Sequence, residues 1–232
     1  MNDLPTDRPL RTVRSFVRRQ GRTTPSQEKG FTQYSADFLL SIANGSLDFA
    51  ATFGRTAPVV LEIGIGNGDT LLHLAEGNPD RDYIGIEVHR PGVGRVLVEI
   101  GQRSLPNVRL FAEDAIDVLK QCIPDASLDG VLLFFPDPWH KKKHHKRRIV
   151  QASFAALVGS KLKRGGYLHM ATDWEHYAEQ MMEVMSAESG FCNQAGAGAF
   201  SARPEGSRPF TRFEKRGERL GHGVWDLIFE KL

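Results

Sequence analysis

Short apolar runs alternate with longer amphipathic stretches along the chain from Pro58 onward. Apolar runs of strand length, typical of buried parallel strands, occupy residues 59–63, 83–88, 108–112, 130–135 and 167–172. Stretches with helical spacing follow them and predict helices over 69–76, 91–102, 115–121, 149–163 and 174–188. The end of the chain adds a short strand near Phe191, a helix over 211–219 and a strand over 224–230. This alternation predicts an α/β fold with a doubly wound, mostly parallel, seven-stranded Rossmann-like sheet and helices on both faces.

The first 54 residues follow a different pattern, and we predict that they form an extension to a main domain over 55–232. Residues 1–30 are polar and contain seven Lys or Arg against three acids. Their arginines recur at helical spacing, which fits a helix formed on contact with a partner and fits an unstructured tail equally well. These arginines are Arg11, Arg14, Arg18 and Arg22. Residues 31–54 predict a short helical connector.

Charge is unevenly distributed over a chain of ordinary globular composition. The formal net charge of the 232 residues is +2, yet residues 141–148 hold six Lys or Arg, two His and no acid. Such a block is either solvated surface charge or the contact site of a polyanion. Cys122 and Cys192 lack metal-like spacing, and no signal peptide or membrane span is visible. We therefore expect a cytoplasmic protein with no metal, no membrane contact and no obligatory protein partner.

The first predicted strand runs into a glycine-rich turn, Glu62-Ile63-Gly64-Ile65-Gly66-Asn67-Gly68. Glycines here let the backbone approach a ligand closely and turn sharply into a helix. The main alternative is the dinucleotide fingerprint G-x-G-x-x-G, which would need a third glycine at position 69. That position is Asp, whose charge beside a helix N-terminus would repel a pyrophosphate. The turn therefore favours a ligand without phosphates over a nicotinamide dinucleotide.

Three acids lie at the ends of the first three predicted strands, on the sheet edge where open α/β folds bind ligands. Glu87 is placed to accept the hydroxyls of a ribose, Asp114 to receive an adenine amino group, and Glu62 to hold the cationic end of a methionine. Taken singly, each acid is equally well explained as a helix N-cap or a surface charge. Together they predict an acid-rimmed pocket for a sulfonium compound.

The fourth predicted strand ends in the most specific segment, Leu132-Leu133-Phe134-Phe135-Pro136-Asp137-Pro138-Trp139-His140-Lys141. Two prolines fix the backbone around Asp137, although a rigid structural turn with Trp139 as a packing residue would also use them. With this segment the sequence closely resembles the bacterial tRNA (guanine-N7)-methyltransferases, from about Pro58 to the end. The other matching motifs lie at residues 61–64, 85–89, 145–148, 171–174, 211–217 and 221–225, with a leader at 18–22.

The resemblance implies a class I methyltransferase fold that uses S-adenosylmethionine and yields S-adenosylhomocysteine. It implies that the acceptor is N7 of a guanosine in the tRNA variable loop, at position 46. The implied cofactor-binding residues are Glu62, Gly64, Gly66, Gly68, Glu87, Asp114 and Asp137, and Asp137 is also the implied catalytic residue. The implied substrate-binding residues are Lys141, Asp173, Thr211, Arg212, Phe213 and Glu214. The implied RNA contacts are Lys143, His144, His145, Lys146, Arg147 and Arg148.

Guanine N7 carries an in-plane lone pair and no proton at neutral pH, so its methylation needs alignment and no general base. We hypothesise that Asp137 accepts hydrogen bonds from guanine N1–H and the N2 amino group, and that Asp173 shares this work. Two alternatives stay open. An amino-group methyltransferase acting on another nucleic acid would carry a D/N-P-P-aromatic motif where this chain has Pro136-Asp137-Pro138-Trp139. A non-catalytic tRNA-binding protein of the same fold would bind RNA regardless of S-adenosylmethionine.

Overall fold

The computed structural model describes residues 23–209 and 223–232 of the chain. Its eight strands are β1 (Leu39–Leu40), β2 (Val59–Ile63), β3 (Asp82–Ile86), β4 (Val108–Phe111), β5 (Leu128–Phe134), β6 (Leu162–Thr172), β7 (Phe191–Asn193) and β8 (Trp225–Lys231). The α-helices in this part of the chain are α1 (Pro25–Phe38), α2 (Phe49–Phe53), α3 (Asp69–Gly77), α4 (Arg90–Arg103), α5 (Ala115–Gln121), α6 (Ala152–Lys161) and α7 (Glu175–Ser186). Short 3₁₀ helices cover Ile42–Asn44 and Lys142–Arg147.

The strands form one sheet in the order β1-β4-β3-β2-β5-β6-β8-β7. Neighbours from β1 to β6 in this order are parallel, whereas β8 runs antiparallel to both β6 and β7. The chain builds one side of the sheet from β2 to β4 and then returns to the centre to place β5 beside β2. The winding therefore reverses between β2 and β5, which is where open α/β sheets form a crevice for a ligand.

Two buried layers cover the sheet, because successive residues of a strand face opposite sides. Leu61 of β2 faces the layer that α5, α6 and α7 complete with residues such as Phe154 and Met181. Val60 faces the other layer, which α1, α3 and α4 complete with residues such as Leu97. The central strands are thus fixed from both faces, and their carboxyl ends emerge at one common edge.

The predicted fold class is confirmed, but the predicted strand count of seven is wrong by one. Leu39 and Leu40, which we had placed in a helical connector, form β1 and pair in parallel with Leu110 and Phe111 of β4. Without this pairing β4 would be an open edge of the sheet. An extended dipeptide can hydrogen-bond to the backbone groups at that edge. A helix cannot, because its own backbone groups bond to one another.

The end of α6 also differs from the prediction, which carried this helix to Lys163. The helix ends at Lys161 and β6 begins at the next residue, so the strand passes through the glycine pair that we took as a helix stop. Gly165 has a φ of +78°, and the register between β5 and β6 shifts at this point. The glycine therefore permits an irregularity within a strand.

The helix α1 begins at Pro25, inside the polar segment 1–30, for which the sequence leaves a helix and an unstructured tail both open. The Thr24 hydroxyl accepts from the Gln27 N–H, and the Gln27 side chain accepts from the Thr24 N–H at 2.8 Å. This capping box, followed by a proline in the first turn, starts the helix. Phe31 of α1 is buried against α4, and the Arg90 guanidinium lies 3.9 Å from its ring centroid.

Two predicted helices, the arginine-spaced one before residue 23 and the one over 211–219, lie outside the described residues. Across residues 23–209 and 223–232, no helix combines the length and the apolar character that crossing a membrane requires.

Candidate active site

A cleft of about 230 Å³ opens at the carboxyl ends of β2, β3, β4 and β5, where the winding of the sheet reverses. Four acids line it, Glu87, Glu113, Asp114 and Asp137, and none of the lining residues in the described chain is Lys, Arg or His. The apolar part of the lining comes mainly from Ile63, Ile86, Val88, Leu133, Phe134, Phe135 and Ile149. Because unscreened carboxylates repel anions and attract cations, this cleft favours a cationic ligand and disfavours a pyrophosphate.

The glycine turn after β2 borders the cleft, and its Gly64 is one of the lining residues. Gly64, Gly66 and Gly68 have φ angles of +76°, +55° and +80°, a left-handed region that glycine enters without steric cost. The turn is also packed closely, since a Cβ built on Gly92 at the start of α4 would lie 2.4 Å from the Gly66 carbonyl oxygen. The predicted role of these glycines in shaping the turn thus has a geometric basis.

Glu87 follows β3 and ties this strand to the glycine turn. One carboxylate oxygen accepts from the Gly66 N–H at 2.8 Å. The other accepts from the N–H groups of Val88 at 2.7 Å and His89 at 2.9 Å. Each carboxylate oxygen has two lone pairs, so the oxygen bound to Gly66 retains one for a ligand hydroxyl. The carboxylate is fixed before any ligand arrives.

Asp114 caps α5, because its side chain accepts from the Ile116 N–H at 2.9 Å. This cap is one of the two explanations that the sequence allows for this acid. Asp114 also lines the cleft, so the capping role and a ligand-binding role coexist. Its neighbour Glu113, which we did not predict, accepts from the Ile42 N–H at 2.9 Å and anchors the N-terminal connector to the cleft. The signal for Glu113 was its place beside Asp114 after an apolar strand.

Glu62 is a buried polar group in β2, next to Ile63 at the cleft, and it is not itself one of the residues that line the cleft. It is 4% exposed in β2, on the face where alternation would place an apolar side chain, and its Oε2 has no hydrogen-bond partner among the described residues. Burial, with smaller contributions from Asp69 and Glu87, raises the pKa of Glu62 to about 8. A buried carboxylate without a partner is costly, and a cationic ligand group would satisfy it.

Asp137 stands exposed at the rim of the cleft, between two prolines. Phe135 and Trp139, on either side of it, have φ angles of +50° and +46°. Bulky residues rarely adopt this region, and each such residue costs roughly 1–3 kcal/mol. The loop that carries Asp137 is thus held in a fixed and unfavourable conformation by its surroundings.

The basic segment, which we define as Lys141–Arg147, follows this loop directly. Lys141, Lys143 and Lys146 are exposed, and they form no salt bridge with any described residue. Arg147 lies over the Trp139 ring at 4.9 Å from its centroid, and His144 meets the same ring edge-on at 5.9 Å. Trp139 therefore packs within the segment, which agrees with the packing explanation of this residue. His145 is half-buried next to the segment's end.

Arg148 does not take the position that we predicted for a direct RNA contact. Its side chain is among the largest that are fully buried, with 2% exposure. The Nε–H donates to the Pro138 carbonyl at 2.8 Å, and the guanidinium lies 4.6 Å from the Tyr177 ring centroid. A buried guanidinium that donates to backbone is not available to a phosphate, so we correct this expectation.

Asp173 follows β6 at the same sheet edge as Asp137 and is half-buried, but it does not line the cleft. The two strands are joined close to these acids, since the Phe135 N–H donates to the Ala171 carbonyl at 2.8 Å. The other expected substrate-binding residues, Thr211, Arg212, Phe213 and Glu214, lie outside the described residues.

A buried ion-pair cluster that the sequence did not reveal lies behind the loop of Asp137. Arg208 donates to both oxygens of Asp226, and His169 lies 2.7 Å from the same carboxylate. Although burial raises it, these hydrogen bonds hold the pKa of Asp226 below its ordinary value. The Arg208 guanidinium lies 5.1 Å and 5.5 Å from the ring centroids of Phe134 and Phe135. Such a pair cannot be found from spacing, because its members are far apart in sequence.

The described residues contain no group of three or more His, Cys, Asp or Glu side chains that could hold a metal ion. The cleft does fit a phosphate-free cationic ligand with hydroxyl groups. The acids that line the cleft match a cationic group, and the remaining lone pair of Glu87 matches a hydroxyl. S-adenosylmethionine has both kinds of group.

Comparison with known proteins gives a consistent result over nearly the whole chain. A family model described as "Putative methyltransferase" matches residues 56–227. The tRNA (guanine-N(7)-)-methyltransferase of Alcanivorax borkumensis is 58% identical over 229 residues, covering 99% of this chain and 95% of the relative. The enzyme of the same name from Pseudomonas aeruginosa is 58% identical over 225 residues, covering 97% and 92%.

Solved structures are similar in fold at low sequence identity. The aminoglycoside resistance methyltransferase NpmB1 aligns with a TM-score of 0.56 and 18% identity, over 83% of this chain and 94% of that chain. The 16S rRNA methyltransferase KamB aligns with a TM-score of 0.57 and 15% identity, over 79% and 93%. At these identities the likeness concerns the fold alone.

Proposed function

The chain belongs to the family of tRNA (guanine-N(7)-)-methyltransferases, and we propose that it transfers the methyl group of S-adenosylmethionine to N7 of a guanine in tRNA. The observation that carries the proposal is the acid-rimmed cleft at the reversal point of the sheet, and β2, which ends at this cleft, also holds the unpartnered carboxyl of Glu62. We further propose that the acceptor is the variable-loop guanosine at position 46, and that the reaction takes place in the cytoplasm.

Three acids hold the methyl donor in this proposal, and each is already fixed by the fold. Glu62 binds the cationic amino group, Glu87 the ribose hydroxyls and Asp114 the adenine amino group. When bound, S-adenosylmethionine supplies a methyl group on a positively charged sulfur, which makes it an electrophile. The glycine turn lets the backbone approach this ligand, because no side chain projects from Gly64 or Gly66.

Asp137 orients the target base. Guanine N7 attacks without losing a proton, so the protein contributes alignment and electrostatic stabilisation and no general base. The exposed carboxylate at the cleft rim accepts from guanine N1–H and the N2 amino group. Its negative charge also stabilises the positive charge that the base acquires. Asp173, at the end of the neighbouring strand, assists in holding the base.

The basic segment binds the sugar–phosphate backbone of the tRNA beside the cleft. Its exposed lysines have no carboxylate partner among the described residues, so their charge is available to phosphates. Contacts of this kind position an RNA and make its binding depend on salt, but they carry little sequence information. Selection of one guanine then comes from the shape of the tRNA and from the exposure of that base.

The experiment is incubation of the purified chain with unmodified tRNA and methyl-labelled S-adenosylmethionine, followed by nucleoside analysis. The proposal expects the label in 7-methylguanosine, which carries a fixed positive charge. Asp137→Asn, compared with the exposed α5 variant Asp117→Asn, shows whether the loop carboxylate is needed. Label in a neutral, amino-methylated nucleoside would support the other class of enzyme. The absence of any label, with donor and RNA both bound, would overturn the proposed transfer.

A further inference from the structure

Arg148 occupies an unusual place for the last residue of a strongly basic run. Its neighbours Lys142, Lys143 and Lys146 are exposed. Its own side chain is buried among elements that are separated along the sequence. In addition to the Pro138 carbonyl, its Nη1 donates to Gln180 of α7. The three elements that meet at this guanidinium are the loop of Asp137, the basic segment and α7.

The guanidinium also lies between two histidine rings. Nη1 is 3.3 Å from Nδ1 of His176, and Nη2 is 3.3 Å from Nε2 of His145. Arginine has only donors, so both ring nitrogens act as acceptors here. The charged group is thus surrounded by neutral acceptors and by the Tyr177 ring, and no carboxylate forms a salt bridge with it among the described residues.

The side chain closes a loop of eleven residues. Pro138 and Arg148 are the two ends of a stretch that contains the whole basic segment, and the Nε–H to carbonyl hydrogen bond joins them. The Arg148 end is attached to α7, since Gln180 donates to the Val150 carbonyl at 3.1 Å and the Val150 N–H donates to the Tyr177 hydroxyl. The Arg148 side chain thus joins the end of this stretch to Pro138, which is bonded to Asp137.

We propose that Arg148 is a positioning residue that fixes the Pro138 carbonyl, and so couples the RNA-binding basic segment to the geometry of Asp137. Its planar fork donates in several directions at once, a task for which the ammonium group of lysine has the wrong shape. The positive φ angles of Phe135 and Trp139 require that the surroundings hold this loop, and Arg148 supplies one of those restraints.

The first test is independent of catalysis. Limited digestion with trypsin, with the cut sites identified by mass spectrometry, reports how often the basic segment opens. Arg148→Lys keeps the tryptic site but removes the fork, and Arg164→Lys, an exposed residue of β6, is the matched control. Losing these hydrogen bonds is expected to speed cleavage within the basic segment about tenfold. Equal cleavage rates in wild type and in both variants would overturn the proposal.

The second test rests on the proposed function and measures where the kinetic effect falls. Arg148→Lys is expected to lower kcat for tRNA methylation about tenfold, with the Kd for S-adenosylmethionine and the salt dependence of the tRNA KM unchanged. A raised KM with a weaker salt dependence and a normal kcat would instead indicate a direct phosphate contact and would overturn the proposal. If the wild-type chain forms no 7-methylguanosine, the proposed function fails, while the digestion experiment still judges the role of Arg148.

A milder variant covers the case in which Arg148→Lys does not fold. Gln180→Leu leaves the arginine in place and removes one of its acceptors on α7. We expect a smaller change in the same direction, with about twofold to threefold faster cleavage and a similar loss of kcat. Wild-type values for both quantities in Gln180→Leu, together with an unfolded Arg148→Lys, would mean that Arg148 serves stability alone.

Discussion

The acidic cleft and the basic segment lie side by side at one edge of the sheet, yet the fold builds them in opposite ways. Three of the acids that line the cleft are fixed by backbone hydrogen bonds: Glu87 accepts from three amides, and Glu113 and Asp114 each accept from one. The lysines of the basic segment project into solvent and form no salt bridge among the described residues. Under the proposed function, the difference gives the small methyl donor a preorganised site and gives the long polyanion a set of adjustable charges.

From this contrast we expect substitutions in the cleft and in the basic segment to differ in the size of their effects. A substitution in the cleft changes a unique, preorganised contact, so its effect should be large and confined to one step. A substitution in the basic segment removes one of several interchangeable charges, so its effect should be small, additive and sensitive to salt.

The largest effect is expected at Asp137. Asp137→Ala and Asp137→Asn should lower kcat/KM about 10²–10³-fold, because each removes the negative charge that orients and stabilises the methylated base. Single-turnover methylation of tRNA measures the loss, and Asp117→Asn provides a matched exposed control. Turnover near the wild-type value in both Asp137 variants, with normal donor binding, would exclude the role assigned to this carboxylate.

The next effect is expected at Glu62, and it has opposite signs for binding and stability. Glu62→Gln should weaken donor binding roughly 100-fold, because a buried charge partner of the amino group is lost. The pKa of this carboxyl is raised to about 8 in the folded chain, so its contribution to stability is full below its unfolded pKa and is lost as the pH rises through 8. The glutamine in Glu62→Gln does not titrate, so the ligand-free variant does not lose stability in this way as the pH rises.

Urea denaturation at pH 5, 7 and 9 tests the sign. The free energy of unfolding of Glu62→Gln, relative to wild type, should increase by roughly 2–4 kcal/mol from pH 5 to pH 9. The exposed α7 variant Glu183→Gln serves as the control. A pH-independent difference between Glu62→Gln and wild type would show that this carboxyl is not strained in the free protein.

A moderate effect is expected at Gly92, which packs closely against the glycine turn next to the cleft. An added methyl group would meet the Gly66 carbonyl oxygen at 2.4 Å, which is backbone and has little room to move. Gly92→Ala should therefore weaken donor binding about tenfold and lower stability by roughly 1–3 kcal/mol. Gly77→Ala at the end of α3, where a new Cβ meets no atom within 4 Å, is the matched control for calorimetry and thermal denaturation.

The smallest effects are expected at Lys143 and Lys146. Each change to Ala should raise the KM for tRNA only a few-fold at moderate salt, and each should reduce the slope of log affinity against log salt by about 1. Filter binding over a series of salt concentrations measures the slope, with exposed Lys120→Ala on α5 as the control. An unchanged slope in the double variant would remove the basic segment from the RNA-binding surface.

Much of the fold followed from local patterns, and the reasons are physical. The buried strands from Val59 to Thr172 have apolar runs because helices cover both faces, so their positions along the chain could be predicted. The two-residue strand Leu39–Leu40 could not, because its conformation depends on pairing with β4, distant in sequence. The Arg208–Asp226 pair was missed for the same reason.

The candidate site divides along a similar line. Glu87 and Asp114 were predictable because a strand end places them at the cleft. The burial of Arg148 was not, because a charged residue at the end of a basic run gives no local sign that α7 will cover it. The sequence predicts which side chains lie at the end of a strand. Tertiary packing determines which groups a long side chain contacts.

The most direct test of this division of roles is calorimetry of the ligand-free protein with S-adenosylmethionine, without RNA. We predict saturable binding of one donor per chain that is roughly 100-fold weaker in Glu62→Gln and unchanged in the Lys143→Ala, Lys146→Ala double variant. We also predict no comparable binding of NAD, whose pyrophosphate the acids repel. Absence of donor binding, or equal binding of NAD, would contradict the claim that this cleft holds a sulfonium methyl donor.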